Sequence, residues 1–218
     1  ALMVSGVGAS YLAGCEEYNG SAWSSGADVS TARRYHMAGG NSADGICACG
    51  NNSAGLNRTS TEEFNGTSWG AGGNLSSARR LVGGGGSSSD AIIYGGYTTG
   101  TRAETYEYDG TSWASGGNLS ESKYGVCGSG VSTDAIVLGG YISAALSKIE
   151  TYGGTSWSTS GSTLATARRY QRGGGNSAAA IVAGGDPGPL SSTEEWNGSS
   201  ISSGGSLITA RFFSSCGT

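Results

Sequence analysis

One sentence is written five times in this chain. "EEYNGSAW" at Glu16–Trp23 returns as "EEFNGTSW" at Glu62–Trp69, "YEYDGTSW" at Tyr106–Trp113, "ETYGGTSW" at Glu150–Trp157 and "EEWNGSSI" at Glu194–Ile201. The aromatic before the Gly turn (Tyr18, Phe64, Tyr108, Tyr152, Trp196) recurs at steps of 46, 44, 44 and 44 residues. A period of this length marks an architecture of stacked or ring-arranged units, each unable to bury its apolar face alone.

Each unit also carries a basic residue at fixed offset (Arg33, Arg79, Lys123, Arg168, Arg211), followed by a short apolar run ending in small residues: "ICACG", "IIYGG", "IVLGG", "IVAGG". The turns "NG", "DG" and "GG" after the marker aromatic are two-residue hairpin signals. The second unit reads as four strands, Arg79–Gly84, Ala91–Gly95, Ala103–Tyr108 and Thr111–Ser115. Four strands in about 44 residues is the size of a propeller blade. The fifth unit has no apolar run after Arg211, whereas "ALMVSG" stands at Ala1–Gly6. The expectation is an all-β, closed five-bladed β-propeller over residues 1–218. Its seam lies between Thr218 and Ala1, and the N-terminal strands complete the last blade, removing an open sheet edge.

An apolar strand ending in Gly-Gly, an aromatic, then a Trp a few residues on resembles the kelch repeat, and the resemblance covers the whole chain. "TEEFNGTSW…NLSSAR…AIIYGG" also resembles Gly/Ser-rich kelch-like repeats of marine phage tail-fibre and structural proteins. These resemblances imply a propeller and a virion-surface role; kelch propellers serve many functions.

Composition bounds the function. The chain has 42 Gly and only 13 % charged residues, but 5 Trp and 11 Tyr give it something to bury. A net charge of −4 gives no support for nucleic-acid binding, and no apolar stretch is long enough to span a membrane as a helix. Five Cys lack zinc spacing and read as small buried residues. The single His, His36, supplies neither a two-His copper site nor more than one His-dependent triad, and no nucleophile elbow is present. The innermost strands contain no Asp or Glu, so no axial carboxylate cluster is expected. Neither metal nor cofactor is expected.

Aromatics kept in every unit beside a strand read as packing between blades rather than as a row of sugar platforms. The acidic residues before the marker read as exposed inter-strand partners of the repeated Arg and Lys, each worth at most ~1 kcal/mol. The next position alternates in identity, Arg34, Arg80, Tyr124, Arg169 and Phe212, and points to the other side of the strand. Arg34, Arg80, Arg169 and Tyr124 are therefore candidates for a basic and aromatic ring at one channel mouth. The segments after the Gly-Gly strand diverge most, and five divergent loops on one face of a uniform frame form a binding face. Asn57, Arg58, Tyr97, Arg102 and Tyr141 are the loop candidates. The expected function is a non-enzymatic structural or binding module at a virion surface, such as a tail fibre, receptor-binding or capsid decoration protein. Its partners would be other virion proteins or a host surface glycan. The alternative is a secreted or cell-surface lectin.

Overall fold

The computed structural model describes residues 1–212, and of Val7 the backbone alone. The described chain is all strand, turn and irregular segment, with no helix long and apolar enough to cross a membrane. Among the described residues nineteen strands form five antiparallel sheets, four of them four-stranded and one three-stranded.

The first sheet is β1 (Leu2–Val7), β2 (Tyr11–Tyr18) and β3 (Trp23–Ser25). The second is β4 (Met37–Gly40), β5 (Gly45–Ala48), β6 (Thr61–Phe64) and β7 (Trp69–Ala71). The third is β8 (Gly83–Gly86), β9 (Ala91–Tyr94), β10 (Thr105–Tyr108) and β11 (Trp113–Ser115). The fourth is β12 (Cys127–Val131), β13 (Asp134–Leu138), β14 (Leu146–Tyr152) and β15 (Trp157–Arg168). The fifth is β16 (Arg172–Gly175), β17 (Ala180–Ala183), β18 (Thr193–Trp196) and β19 (Ile201–Ser203). Each four-stranded sheet pairs its strands in sequence order, as successive hairpins give.

The repeated Arg does not open the innermost strand, as the sequence suggested: that strand in the third sheet is Gly83–Gly86, not Arg79–Gly84. Between Arg and strand the chain turns through a left-handed residue, Tyr35 (φ 58°), Leu81 (57°), Gly125 (60°) or Tyr170 (56°). These four residues link the sheets. Leu81 N–H donates to Tyr35 O (2.9 Å), Gly125 N–H to Leu81 O (3.0 Å) and Tyr170 N–H to Gly125 O (2.9 Å).

Innermost strands stand against their neighbours so closely that glycine is required. A Cβ on Gly39 would lie 2.4 Å from Gly86 O, a backbone atom that cannot swing away. His36, before β4, feels the charge of Arg172 in β16, and Tyr170 feels Tyr35, although two sheets intervene.

Between sheets the packing alternates with the strand pleat. Ile46 and Ala48 of one sheet meet Ala91, Ile93, Tyr106 and Tyr108 of the next. Ile92 and Tyr94 meet Ala135, Val137 and Tyr152, and Ile136 and Leu138 meet Val182 and Trp196. Leu2 and Val4 meet Cys47 and Trp69, so the first sheet packs on the second. The repeated aromatics are thus largely core between sheets, as expected.

The repeated charges correct the sequence reading. Three of the repeated pairs are buried and link one sheet to the next. Arg33 donates to Glu62, Lys123 to Glu150 (2.6 Å) and Arg168 to Glu194, and all six side chains are buried. The following Glu is bonded in the opposite direction: Tyr108 O–H donates to Glu63 and Tyr152 O–H to Glu107. Trp113 and Trp157 N–H groups donate to Thr61 and Thr105 (both 2.8 Å). At the far hairpins Asp44, Asp90 and Asp134 accept from Ser88, Ser132 and Ser177 N–H at 2.8–2.9 Å. The repeat is therefore a junction kit as much as a strand kit.

The face of the fifth sheet that these rules aim at a following sheet is open, with Ile181 42 % exposed where Ile46, Ile92 and Ile136 are sealed. The expected strand Phe213–Gly217, and with it the proposed seam pairing, lies outside the described residues.

Candidate binding face

The loops after each Gly-Gly strand return to the residues that follow the repeated Arg. Isolated antiparallel bridges join Arg34 to Asn51, Arg80 to Tyr97, Tyr124 to Tyr141 and Arg169 to Asp186. Loop roots and second-position residues are therefore paired in four of the repeats. Because the frame repeats, the side chains at these roots line up from sheet to sheet.

Their side chains form a continuous run. Asn57 Oδ1 accepts from Arg80 Nη1 at 3.2 Å, and the Arg80 guanidinium sits 5.2 Å from the Tyr97 ring centre. Tyr97 meets Tyr124 edge-on at 5.4 Å, and Tyr124 meets Tyr141 likewise at 5.4 Å. Arg169 lies over Tyr141 at 4.0 Å and over Tyr170 at 5.0 Å. Arg34 stands over Tyr11 (5.0 Å) and Tyr35 (4.6 Å). Guanidinium–aromatic contacts of this kind are worth ~0.5–1 kcal/mol each where exposed.

The candidates divide. Asn57, Arg80, Tyr97, Tyr124, Tyr141 and Arg169 are brought together. Arg34 joins with Tyr11 and Tyr35 rather than directly with the loop residues. Arg102 is turned to its own loop, bonded to Thr98 Oγ1 (2.8 Å) and 3.8 Å from Glu104. Arg58 is half-buried, and among the described residues its guanidinium has no hydrogen bond or ion pair. Arg169 has an acidic partner on this face: its Nε donates to Asp186 Oδ2 at 2.7 Å. That hydrogen bond, with the Gly188 N–H, holds the Asp186 carboxyl below the usual range. Phe212 sits at the edge of the described chain, 44 % exposed.

Tyr11, Tyr35, Tyr170 and Asp186 were not singled out by sequence. The signal for Tyr35 and Tyr170 was available: both stand two residues after the repeated Arg. Burial, then a hydrogen bond with Tyr124, pushes the Tyr170 phenol up to about 12. That phenol stays protonated at neutral pH. Arg34 Nε is shielded from solvent without an acceptor.

Among the described residues no group of three His, Cys, Asp or Glu side chains is close enough to hold an ion. His36 is held near pKa 4 by burial and by Arg33, and its Nε2 bonds Val4 O (3.0 Å). Cys47 and Cys49 are buried, which pushes their thiols up to about 12 and 11, so they are unreactive at neutral pH. The face offers guanidinium forks and phenol rings.

No family model matches the chain, and no curated protein matches it.

Proposed function

We propose that the chain is a closed, kelch-like five-bladed β-propeller serving as a non-enzymatic display and binding module at a virion surface or in the extracellular space. The observation that carries the binding role is the run Arg80–Tyr97–Tyr124–Tyr141–Arg169, which crosses three neighbouring sheets. Tyr and Arg bring rigid area and forked donors at low entropic cost, as in many protein-binding surfaces. The partner is another virion protein or a host surface glycan; nucleic acid and membrane insertion play no part in this reading. Closure is supported by the convergence of His36 with Arg172 and of Tyr35 with Tyr170 from non-neighbouring sheets.

A lectin is the second reading, favoured by the stacking of Arg169 on Tyr141, a pairing that also accepts an acidic sugar. The run is composite and unrepeated, so a lectin of this kind would hold one glycan per ring rather than one per blade. Copurification with virus particles, set against retention on columns of acidic and neutral glycans, separates the two. Neither association, or turnover in a hydrolase and oxidase screen lost on a single substitution, would overturn the proposal.

A further inference from the structure

Arg211 is posed like a junction arginine with no junction. Its Nε donates to Thr209 O at 3.2 Å, as Arg33 Nε does to Thr31 O and Arg168 Nε to Thr166 O, both at 3.2 Å. Its carbonyl accepts from Gly185 N–H at 2.9 Å, as those of Arg79, Lys123 and Arg168 accept from Gly50, Gly96 and Gly140. Arg33 and Arg168 are nevertheless fully buried and ion-paired, whereas Arg211 is exposed. Among the described residues its terminal nitrogens meet no acceptor.

The two complete arginine sockets share one design. Arg33 Nη1 donates to Cys49 O (3.4 Å) and Ser60 O (3.2 Å), and Nη2 to Glu62. Arg168 Nη1 donates to Gly184 O (2.9 Å) and Ser192 O (3.1 Å), and Nη2 to Glu194. Counting back from the marker aromatic, Ser60 and Glu62 correspond to Gly14 and Glu16 in the first sheet. Cys49 (φ 58°) and Gly184 (66°) correspond to Ser5, which has the same left-handed backbone (54°). Ser5, Gly14 and Glu16, with Met3 and Leu12, line an open hollow of about 210 Å³.

We infer that this hollow is the socket for the Arg211 guanidinium of the same chain, with Glu16 as its carboxylate and the Ser5 and Gly14 carbonyls as its other acceptors. The inference rests on the closed-ring reading and assigns the closing contact. The apolar faces agree. Met3 is 42 % exposed where Cys47, Ile93, Val137 and Val182 are sealed, and Ile181 across the junction is also 42 % exposed. These are the two positions that meet at the other junctions, as Ile46 and Ile93 do. The same chain supplies both halves on the closed-ring reading, in which His36 feels the charge of Arg172 two sheets away. On the closed-ring reading the first sheet, which packs on the second, is the one that follows the fifth. Ala179 replaces the Asp44, Asp90 and Asp134 of the other hairpins, so this junction lacks that cap and depends more on Arg211.

Phenylglyoxal labelling of the unmodified chain, read by peptide mass mapping, tests the socket without requiring a variant to fold. The expected result is that Arg211 reacts as slowly as Arg33 and Arg168, whereas Arg58 reacts fast. Glu16→Gln should speed labelling of Arg211. In a thermal cycle, Arg211→Met and Glu16→Gln should each lower Tm by roughly 5–10 °C, and the double variant no more than the worse single. Labelling of Arg211 as fast as that of Arg58, or additive Tm losses, would overturn the assignment. Protection that appears only at concentrations where light scattering shows a dimer would give the socket to a second copy and also overturn it. A reactive Arg211 in a chain with the radius of gyration of a compact ring would remove the socket and leave the ring.

Discussion

The Arg168 guanidinium reaches across from one sheet to the Glu194 carboxylate of the next, and both side chains are buried. A buried pair is weak evidence for net stabilisation, because two charges leave water to make it, but losing one partner strands the other. Arg168→Met should therefore destabilise by about 3–5 kcal/mol. Arg168→Met with Glu194→Leu should recover most of that loss. Lys148 and Glu121 pair at 3.0 Å with both side chains about a third exposed, and breaking that pair should change stability by less than ~1 kcal/mol. Chemical denaturation of the three variants checks the ranking.

Acid should weaken the fold through two groups whose pKa values are lowered on folding. Burial and Arg33 hold His36 at about 4 instead of 6.5. Its contribution is complete above about 6.5 and is lost as pH falls toward 4, on the order of 1–2 kcal/mol for a half-buried ring. Burial pushes the Glu150 carboxyl up, but Lys123 and the Ser120 donors outweigh it and leave the pKa lowered from 4.5. Its share is present above 4.5 and fades below that value. His36→Asn should flatten the stability profile between pH 6.5 and 4 and leave the lower limb; denaturant midpoints across that range decide it.

Gly39→Ala should be costly for a small change. The new methyl would stand 2.4 Å from Gly86 O and 2.9 Å from Gly86 N, so two innermost strands must part. Overpacking of this kind costs about 1–3 kcal/mol. Gly70→Ala, with open space around the added carbon, is the control and should stay within about 0.5 kcal/mol of the parent in thermal melts.

Binding should fail before folding does when the aromatic run is cut. Tyr97→Ala, Tyr124→Ala and Tyr141→Ala together remove both edge-on contacts and the platform under Arg169. Attachment to virions, or retention on a glycan column, should drop at least tenfold while circular dichroism stays that of the parent. Arg102→Ala should leave attachment within about twofold, because that guanidinium serves Thr98 and Glu104 within its own loop.

Period, strand number and hairpin positions were legible because each depends on residues close in sequence. "NG", "DG" and "GG" fix turns locally, and alternation fixes which side of each strand is covered. The junction chemistry was legible only as residue types. Sequence separation of 29 residues between Arg33 and Glu62 says nothing of burial, and an exposed pair and a buried one are spelled alike. The face was half legible: Tyr97 and Tyr141 stood out by departing from the repeat, whereas Tyr35 and Tyr170 sat inside it. Asp186 was hidden because its partnership with Arg169 depends on a loop returning to the row, which no local rule announces.

The central claim is that five repeated sheets surround one axis in a single chain. Solution X-ray scattering over a dilution series tests it most directly. A closed ring of 218 residues should give a radius of gyration near roughly 17 Å, unchanged on dilution, with a single compact distance distribution. A radius several ångströms larger with an extended tail, or one that grows with concentration, would contradict the account.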